Sequence, residues 1–332
     1  MRHKSPAIER KVLSILKILA SSQQAQGARV IARYLKDSGI ELTERAVRYH
    51  LKLTDERGLT KLVGRRDGRI ITELGQTELK KALVSDKVGF AFARIEDLAF
   101  RTNFDFTTHT GLIPVNVSMF TKEDFPKAMK VMRGIFKAGL CVSELVAIAH
   151  TGDIVGDIIV PEGKVALATV CSIVVNGVLL KAGIPVDSRF GGILQIQNNR
   201  PLRFTELINY AGSSLDPSEI FIRANMTSVT QAAEIGNGDI LANFREIPAV
   251  CRPTAQEVVA KLKEAKIGGL MLLGNISEPV CEVAIELNRV GVILIGGLNP
   301  VAAAYEAGIE SVNYAMSTLM EYEKLTAIDT IK

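Results

Sequence analysis

The hydrophobic period changes once within the first 85 residues, and that change constrains the fold more than any other feature of the chain. Apolar residues first recur at helical spacing: Ile8, Val12, Ile15, Leu16 and Leu19, then Val30, Ile31 and Leu35, then Val47 and Leu51. This spacing predicts three short amphipathic helices, over 8–20, over 27–37 and after Thr43. Thr43 is read as the cap of the third: its hydroxyl can accept an orphan backbone N–H, and Glu44 suits the dipole there. Gly39 closes the second helix, and Gly58-Leu59 closes the third. The period then drops to two. Lys61-Leu62-Val63 and Ile70-Ile71-Thr72 read as strands joined by Asp67-Gly68, a pair that tolerates the positive φ of a tight hairpin. A helix over 75–85 completes the set.

Charge says what such a module would touch. Residues 1–87 carry 19 Lys and Arg against 10 Asp and Glu, net +9, whereas residues 88–332 are net −5 within an overall +4. A basic module joined to an acidic body points to a polyanion as partner of the first part. Arg45, Arg48 and Lys52 make a cationic stripe on the third helix, and Arg65, Arg66 and Arg69 gather at the hairpin. Helix, helix, basic helix, basic hairpin is the order of a winged helix-turn-helix, whose third helix enters the major groove. Arg45, Arg48 and Tyr49 are expected at base edges or nearby phosphates, and Thr43, His50 and Lys52 at the backbone. Arg65, Arg66 and Arg69 are expected to lie along phosphates or in the minor groove. His50 also reads as a packed core residue, and Thr54 stands where winged helices usually place a large apolar side chain.

The remainder reads as a linker helix within 86–110, with Phe90, Phe92, Ile95, Leu98 and Phe100 making an apolar surface, and then an α/β domain over 111–325. Strands are expected over 112–120, 164–175, 192–197, 269–273 and 290–295, and helices over 122–138, 178–182, 254–265 and from Pro300 to Ala307. That alternation predicts mixed sheets. A faint similarity between the segments beginning Val170-Cys171-Ser172 and Val280-Cys281-Glu282 suggests an internal duplication. Polar residues at the ends of apolar runs are the candidate small-molecule site: Cys171, Ser172, Arg189, Arg223, Thr227 and Asn299. Asn299-Pro300, after two glycines, reads as an open helix N-terminus that attracts an anion, and arginines unpaired internally suit a dicarboxylate. Arg223 to Ser228 and Asn243 to Arg245 are further polar clusters between apolar runs.

Several classes are set aside. The sequence has no phosphate-binding loop, no GxSxG and no HExxH, so neither catalytic residues, nor a metal, nor a cofactor is expected. The pairs Cys171 with His109 and Cys141 with His150 stay open as thiol–imidazole combinations. Cys141, Cys171, Cys251 and Cys281 are scattered and apolar-flanked, and the longest apolar run, 165–180, is polar-interrupted and short for a membrane helix. A cytoplasmic protein away from the membrane is expected.

The residues also carry a family resemblance. GARVIARYLKDSGIELTERAVRYHLKLTDERGLTKLVGRRDGRIITELG resembles the winged helix of the archaeal nitrogen regulatory repressor family, NrpR, a module also similar to that of ribonuclease R. TVCSIVVNGVLLKAGIPVDSRFGG, FTELINYAGSSLDPSEIFI, MTSV, GNGDILANFREIPA and GVILIGGLNPVAAAYEAGI resemble that family's regulatory domain, so the likeness spans roughly residues 8–320. The resemblance implies a homodimeric repressor of nitrogen-assimilation genes, such as those for nitrogen fixation and glutamine synthesis. It implies a palindromic DNA operator, with 2-oxoglutarate as the effector that releases it. Some members carry two regulatory domains and others divide the work between two proteins, so a second regulatory polypeptide is a further implied partner. The alternatives are a DNA-binding bifunctional enzyme with a catalytic body, a co-repressor acting through protein contacts, and a winged helix that binds RNA.

Overall fold

The computed structural model describes residues 6–22, 24–37, 40–64, 68–80, 88–156 and 158–331. The chain divides into two units, residues 1–87 and 88–332.

The first unit holds α1 (Pro6–Ser21), α2 (Ala28–Asp37), α3 (Glu44–Glu56), β1 (Thr60–Gly64), β2 (Gly68–Ile71) and α4 (Glu73–Lys80). The predicted apolar stripes meet as its core: Ile15, Leu19, Ile31, Leu35, Val47 and Leu51 are each 2% exposed or less. Thr43 caps α3 as expected, its Oγ1 accepting Ala46 N–H at 3.2 Å, and Gly58 ends it at φ +69°. Thr54 is fully buried. Its Oγ1 lies 2.8 Å from both the Leu51 carbonyl oxygen and Thr60 Oγ1, and Thr60 in turn donates to Asp55 at 2.6 Å. The buried hydroxyl therefore clips α3 to β1, which is why no large apolar residue is needed there. Gly39 and Asp67 lie outside the described residues, as does the 81–85 end of the predicted closing helix.

The second unit begins with α5 (Phe90–Arg101), β3 (Leu112–Thr121), α6 (Phe125–Lys137), β4 (Leu145–His150), β5 (Ile154–Val155), β6 (Ile158–Ile159), β7 (Lys164–Val170) and α7 (Ile173–Lys181). It continues through β8 (Asp187–Gln197), β9 (Arg200–Asn209), α8 (Pro217–Arg223), α9 (Val229–Ile235), β10 (Gly238–Pro248) and α10 (Arg252–Glu264). It ends with β11 (Leu270–Ile276), β12 (Arg289–Ile295), α11 (Asn299–Glu306), β13 (Val312–Glu321) and β14 (Thr326–Ala327). One sheet runs β13-β3-β7-β4-β14 and the other β11-β12-β10-β8-β9. Helix α5 belongs to this unit: Ile95 and Leu98 share a buried cluster with Cys171, Ile173, Tyr210 and Leu319.

The α/β class stands, but strand direction differs from the mixed sheets expected: every pairing among the described strands is antiparallel. The reason is topological. Helix α6 does return the chain parallel to β3, but β7 inserts between β3 and β4 and is antiparallel to both. Helix α10 does the same between β10 and β11, with β12 inserted. These are two split β-α-β units.

The duplication is thus present, in a different register from the one the sequence suggested. The run β3-α6-β4-β7-α7 repeats as β10-α10-β11-β12-α11, and each half then lends a strand to the other sheet: β8 pairs with β10, and β13 with β3. Cys171 follows β7, so its counterpart is Gly296 after β12. Cys281 sits instead in a turn closed by Val280 and Val283. Helix α6 packs on α11, and α7 on α10. Phe120, Val146 and Leu167 of one sheet share a cluster with Met129, Met132 and Val301, while Ile247, Val292 and Leu294 of the other join Val174, Val258 and Leu262.

Candidate functional site

Two places concentrate polar chemistry, one in each unit. In the first, helical geometry sorts α3 into two faces. Val47, His50, Leu51 and Thr54 are buried, whereas Arg45, Arg48, Tyr49 and Lys52 are exposed at i, i+3, i+4 and i+7. Thr43 is exposed beside them. Arg48 is ion-paired with Glu44, and Lys52 lies 3.9 Å from Glu56, both one turn apart on the surface. Arg45 has no ion-pair partner among the described residues. The result is one aromatic and three cations on a single solvated stripe.

Two of the expected DNA contacts are placed elsewhere. His50 is 5% exposed; its ring packs edge-on to Tyr49 and its Nδ1 has no partner, so it faces the core rather than a phosphate. Burial, reinforced by the nearby Lys11, lowers its pKa and favours the neutral ring. Arg69 Nε donates to Asp55 at 2.7 Å, and its backbone pairs with Gln26 in both directions, so it ties β2 to α3 and to the segment before α2. Arg65 and Arg66 lie outside the described residues. Gly68 is required at the base of the wing: it adopts φ +99°, and a Cβ there would sit 2.3 Å from the Gln26 carbonyl.

In the second unit the polar centre sits where the lent strands meet the first strands of each half. Asn116 on β3 pairs with Thr169, and Asn243 on β10 with Leu294, each next to the last residue of the neighbouring strand. The two asparagines are equivalent in the repeat. Asn243 Nδ2 donates to Ser172 Oγ at 3.1 Å, and Tyr210 OH donates to Asn243 Oδ1. Arg245, 1% exposed, lies 4.9 Å over the Tyr210 ring and donates to Asn176 Oδ1 at 3.4 Å and to the Phe244 carbonyl. Asp216 caps α8, its Oδ1 accepting Ser218 N–H at 2.8 Å, and burial pushes its pKa up against the hydrogen bonds from Glu219 and Ser218 and the weaker pull of Arg245. Burial also pushes the Cys171 thiol to about 12 and the Tyr210 phenol to about 12, so both are neutral. Opposite Asn116, β13 bulges: Met316 takes φ +48° and its N–H donates to Asn116 Oδ1 at 3.0 Å. These groups enclose a cavity of about 20 Å³.

Of the expected ligand residues, Cys171 and Ser172 line this cavity. Asn299 is fully buried beside it, but its amide exchanges two hydrogen bonds with the Leu241 backbone, so it anchors β10 rather than opening a helix end. Arg189 is exposed and paired with Asp187 at 3.2 Å. Arg223 is exposed at the end of α8, and Thr227 donates to Glu306, whose carboxylate also accepts from Val229 and Thr230 at the start of α9. The structure therefore gathers two of the six and disperses three. Sequence reading marked 243–245 as a polar cluster but did not place Asn243 and Arg245 in the site, and it missed Tyr210 and Asp216. The signal was GDILANFREIP, a strand with Asn, Arg and Glu amid apolar residues, in which Asn243, Arg245 and Glu246 are all buried. Among the described residues, no three His, Cys, Asp or Glu side chains are placed to hold a metal.

Known proteins match both units. A family model described as NrpR regulatory domains NRD1 and 2 matches residues 88–327, and one described as the ribonuclease R winged-helix domain matches residues 13–79.

The chain belongs to the NrpR family.

It is 40% identical over 323 residues to the global nitrogen regulator NrpRI of Methanosarcina mazei, covering 97% of this chain and 99% of that protein. It is 33% identical to the global nitrogen regulator NrpR of Methanococcus maripaludis and 34% identical to that of Methanocaldococcus jannaschii. It covers 89% and 96% of its own length in those matches but spans only 51% and 55% of those longer proteins. The crystal structure of a nitrogen repressor-like protein from Methanococcus jannaschii superposes with a TM-score of 0.61 at 25% identity, over 72% of this chain and 98% of that one. The family is one of regulators, and the chain is read accordingly as a nitrogen regulator and not an enzyme. No helix among the described residues is long and apolar enough to cross a membrane.

Proposed function

We propose that the chain is a transcriptional repressor of nitrogen-assimilation genes that binds a palindromic DNA operator as a homodimer and is released by 2-oxoglutarate. The observation that carries the DNA half is the α3 stripe: Arg45, Arg48, Tyr49 and Lys52 exposed together on the recognition helix of a winged helix. Thr43 lies at the N-terminus of the same helix, where a phosphate is favoured. Two such helices in a dimer would address half-sites about 34–36 Å apart, or a multiple of that. Arg65 and Arg66 remain candidates for the minor groove or its phosphates.

For the effector, the proposal keeps Cys171 and Ser172 and adds Asn243, Tyr210 and Arg245. Arg189, Arg223, Thr227 and Asn299 contribute only if the unit rearranges. Small-molecule pockets run to about 300–1,000 Å³, whereas this cavity holds about 20 Å³. A dicarboxylate would have to bind an opened form, with Arg245 as its charge partner. Binding that selects an opened form shifts a two-state equilibrium by the ligand's differential affinity. That supplies the link from effector to dimer geometry.

Selection of duplexes from a random pool by the purified chain tests the DNA half. The expected product is an inverted repeat whose half-site spacing matches a dimer. Recovery of no repeat, or stronger retention of RNA than of duplex DNA, would remove it.

A further inference from the structure

Helix α6 runs against the charge of its unit. It carries Lys127, Lys130, Arg133 and Lys137 and no acid, in a segment of the chain that is net −5. Beside it lies an open cavity of about 710 Å³, bounded by α6, β4 and residues 324–331. Its lining combines a partly exposed apolar set, including Phe125, Pro126, Ala147 and Ile148, with Lys130, Arg133 and Lys324. No carboxylate belongs to that lining among the described residues. Lys324 is held by Glu321 at 2.9 Å, and Arg133 donates to the Ile331 carbonyl oxygen. Lys130 is exposed and has no ion-pair partner among the described residues.

Volume and lining are those of a small-molecule site, mostly apolar with a few placed polar groups. The sign of the charge selects an anion, and the apolar surface selects what the anion must carry. We propose that this cavity binds a small amphipathic anion: an aromatic or branched aliphatic body bearing one carboxylate, sulfonate or phosphate-class group. The body covers Phe125, Pro126, Ala147 and Ile148, and the anionic group meets Lys130 and Arg133. A short dicarboxylate such as 2-oxoglutarate has too little apolar surface to cover those four side chains, so this site is separate from the effector site. A nucleic-acid backbone is disfavoured too, because it would leave the concave apolar lining unfilled.

The test uses the full chain at low salt and two fluorescent probes that share an aryl frame. Anilinonaphthalene sulfonate carries the anion; phenylnaphthylamine is neutral. The sulfonate is expected to bind at one saturable site and more tightly than the neutral probe. Lys130→Glu should weaken the sulfonate at least about fivefold, because it reverses a charge within a few ångströms of the anion. Lys130→Arg should restore it, and the neutral probe should not respond to either change. Three results would each overturn the proposal: equal sulfonate affinity in Lys130→Glu, a neutral probe bound as tightly as the sulfonate, or displacement of the sulfonate by millimolar 2-oxoglutarate.

Discussion

Arg45 and Lys52 stand on the same exposed stripe, one near the start of α3 and one two turns along, and they should fail differently. Arg45 lacks an ion-pair partner among the described residues, so its guanidinium is available for bidentate contact with a base edge. Arg45→Ala should then cost about 1–3 kcal/mol per half-site, or about 5- to 150-fold in affinity, and relax base preference at one position. Lys52 lies 3.9 Å from Glu56 and is expected to neutralise one phosphate instead. Removing one phosphate contact makes the log–log salt slope shallower by about 0.9. Between about 50 and 200 mM salt, Lys52→Ala should therefore lose about 3.5-fold less affinity per half-site than the parent chain. Fluorescence anisotropy with an operator duplex, repeated at three salt concentrations and with single base changes, separates the two. The assignment fails if Arg45→Ala leaves base preference untouched, or if Lys52→Ala leaves the slope unchanged.

Substitutions at three buried residues give further outcomes. The His50 pKa is lowered below 6.5 by burial, so the unfolded chain takes up the proton first; the first unit should be fully stable above that pH and lose stability as pH falls below it, a loss that His50→Leu removes in thermal melts. Arg245→Met orphans Asn176 Oδ1 and should cost about 1–3 kcal/mol in denaturant unfolding. The same variant should abolish the response of DNA binding to 2-oxoglutarate while leaving DNA affinity itself in place; an unaltered response would remove Arg245 from the effector site. Gly68→Ala forces a Cβ to within 2.3 Å of the Gln26 carbonyl at a left-handed φ, so it should break the Gln26–Arg69 pairing, seen as lost amide protection at Arg69.

The first unit was legible because its physics is local. Helical spacing, the Thr43 cap and the alternation of two short strands each act within a few residues, and their order defines the fold. His50 and Arg69 were harder. Both occur among residues of the right type, but His50 falls on the buried face one position beyond Tyr49, and Arg69 is claimed by Asp55 fourteen positions back in the chain. The second unit was legible in class and not in topology. Sequence order records that α6 follows β3; it does not record that β7 later inserts beside it. Helix α7 begins at Ile173, five residues before its expected start at 178, because it is buried on all sides and so lacks a helical period, and Val174 and Val175 mimic a strand. The polar centre was half found for a similar reason. Ser172 ends an apolar run and stands out. Arg245 lies within a strand and becomes informative only once Tyr210 and Asn176 are brought against it from elsewhere.

The most direct measurement is the affinity of the purified chain for duplex DNA carrying the selected repeat, at fixed low salt, as 2-oxoglutarate is raised to millimolar levels. The account predicts tight duplex binding without the effector and a progressive, saturable loss as it is added. Indifference to duplex DNA would contradict the reading face on α3, and tight binding that 2-oxoglutarate leaves unchanged would contradict the sensing role of the second unit.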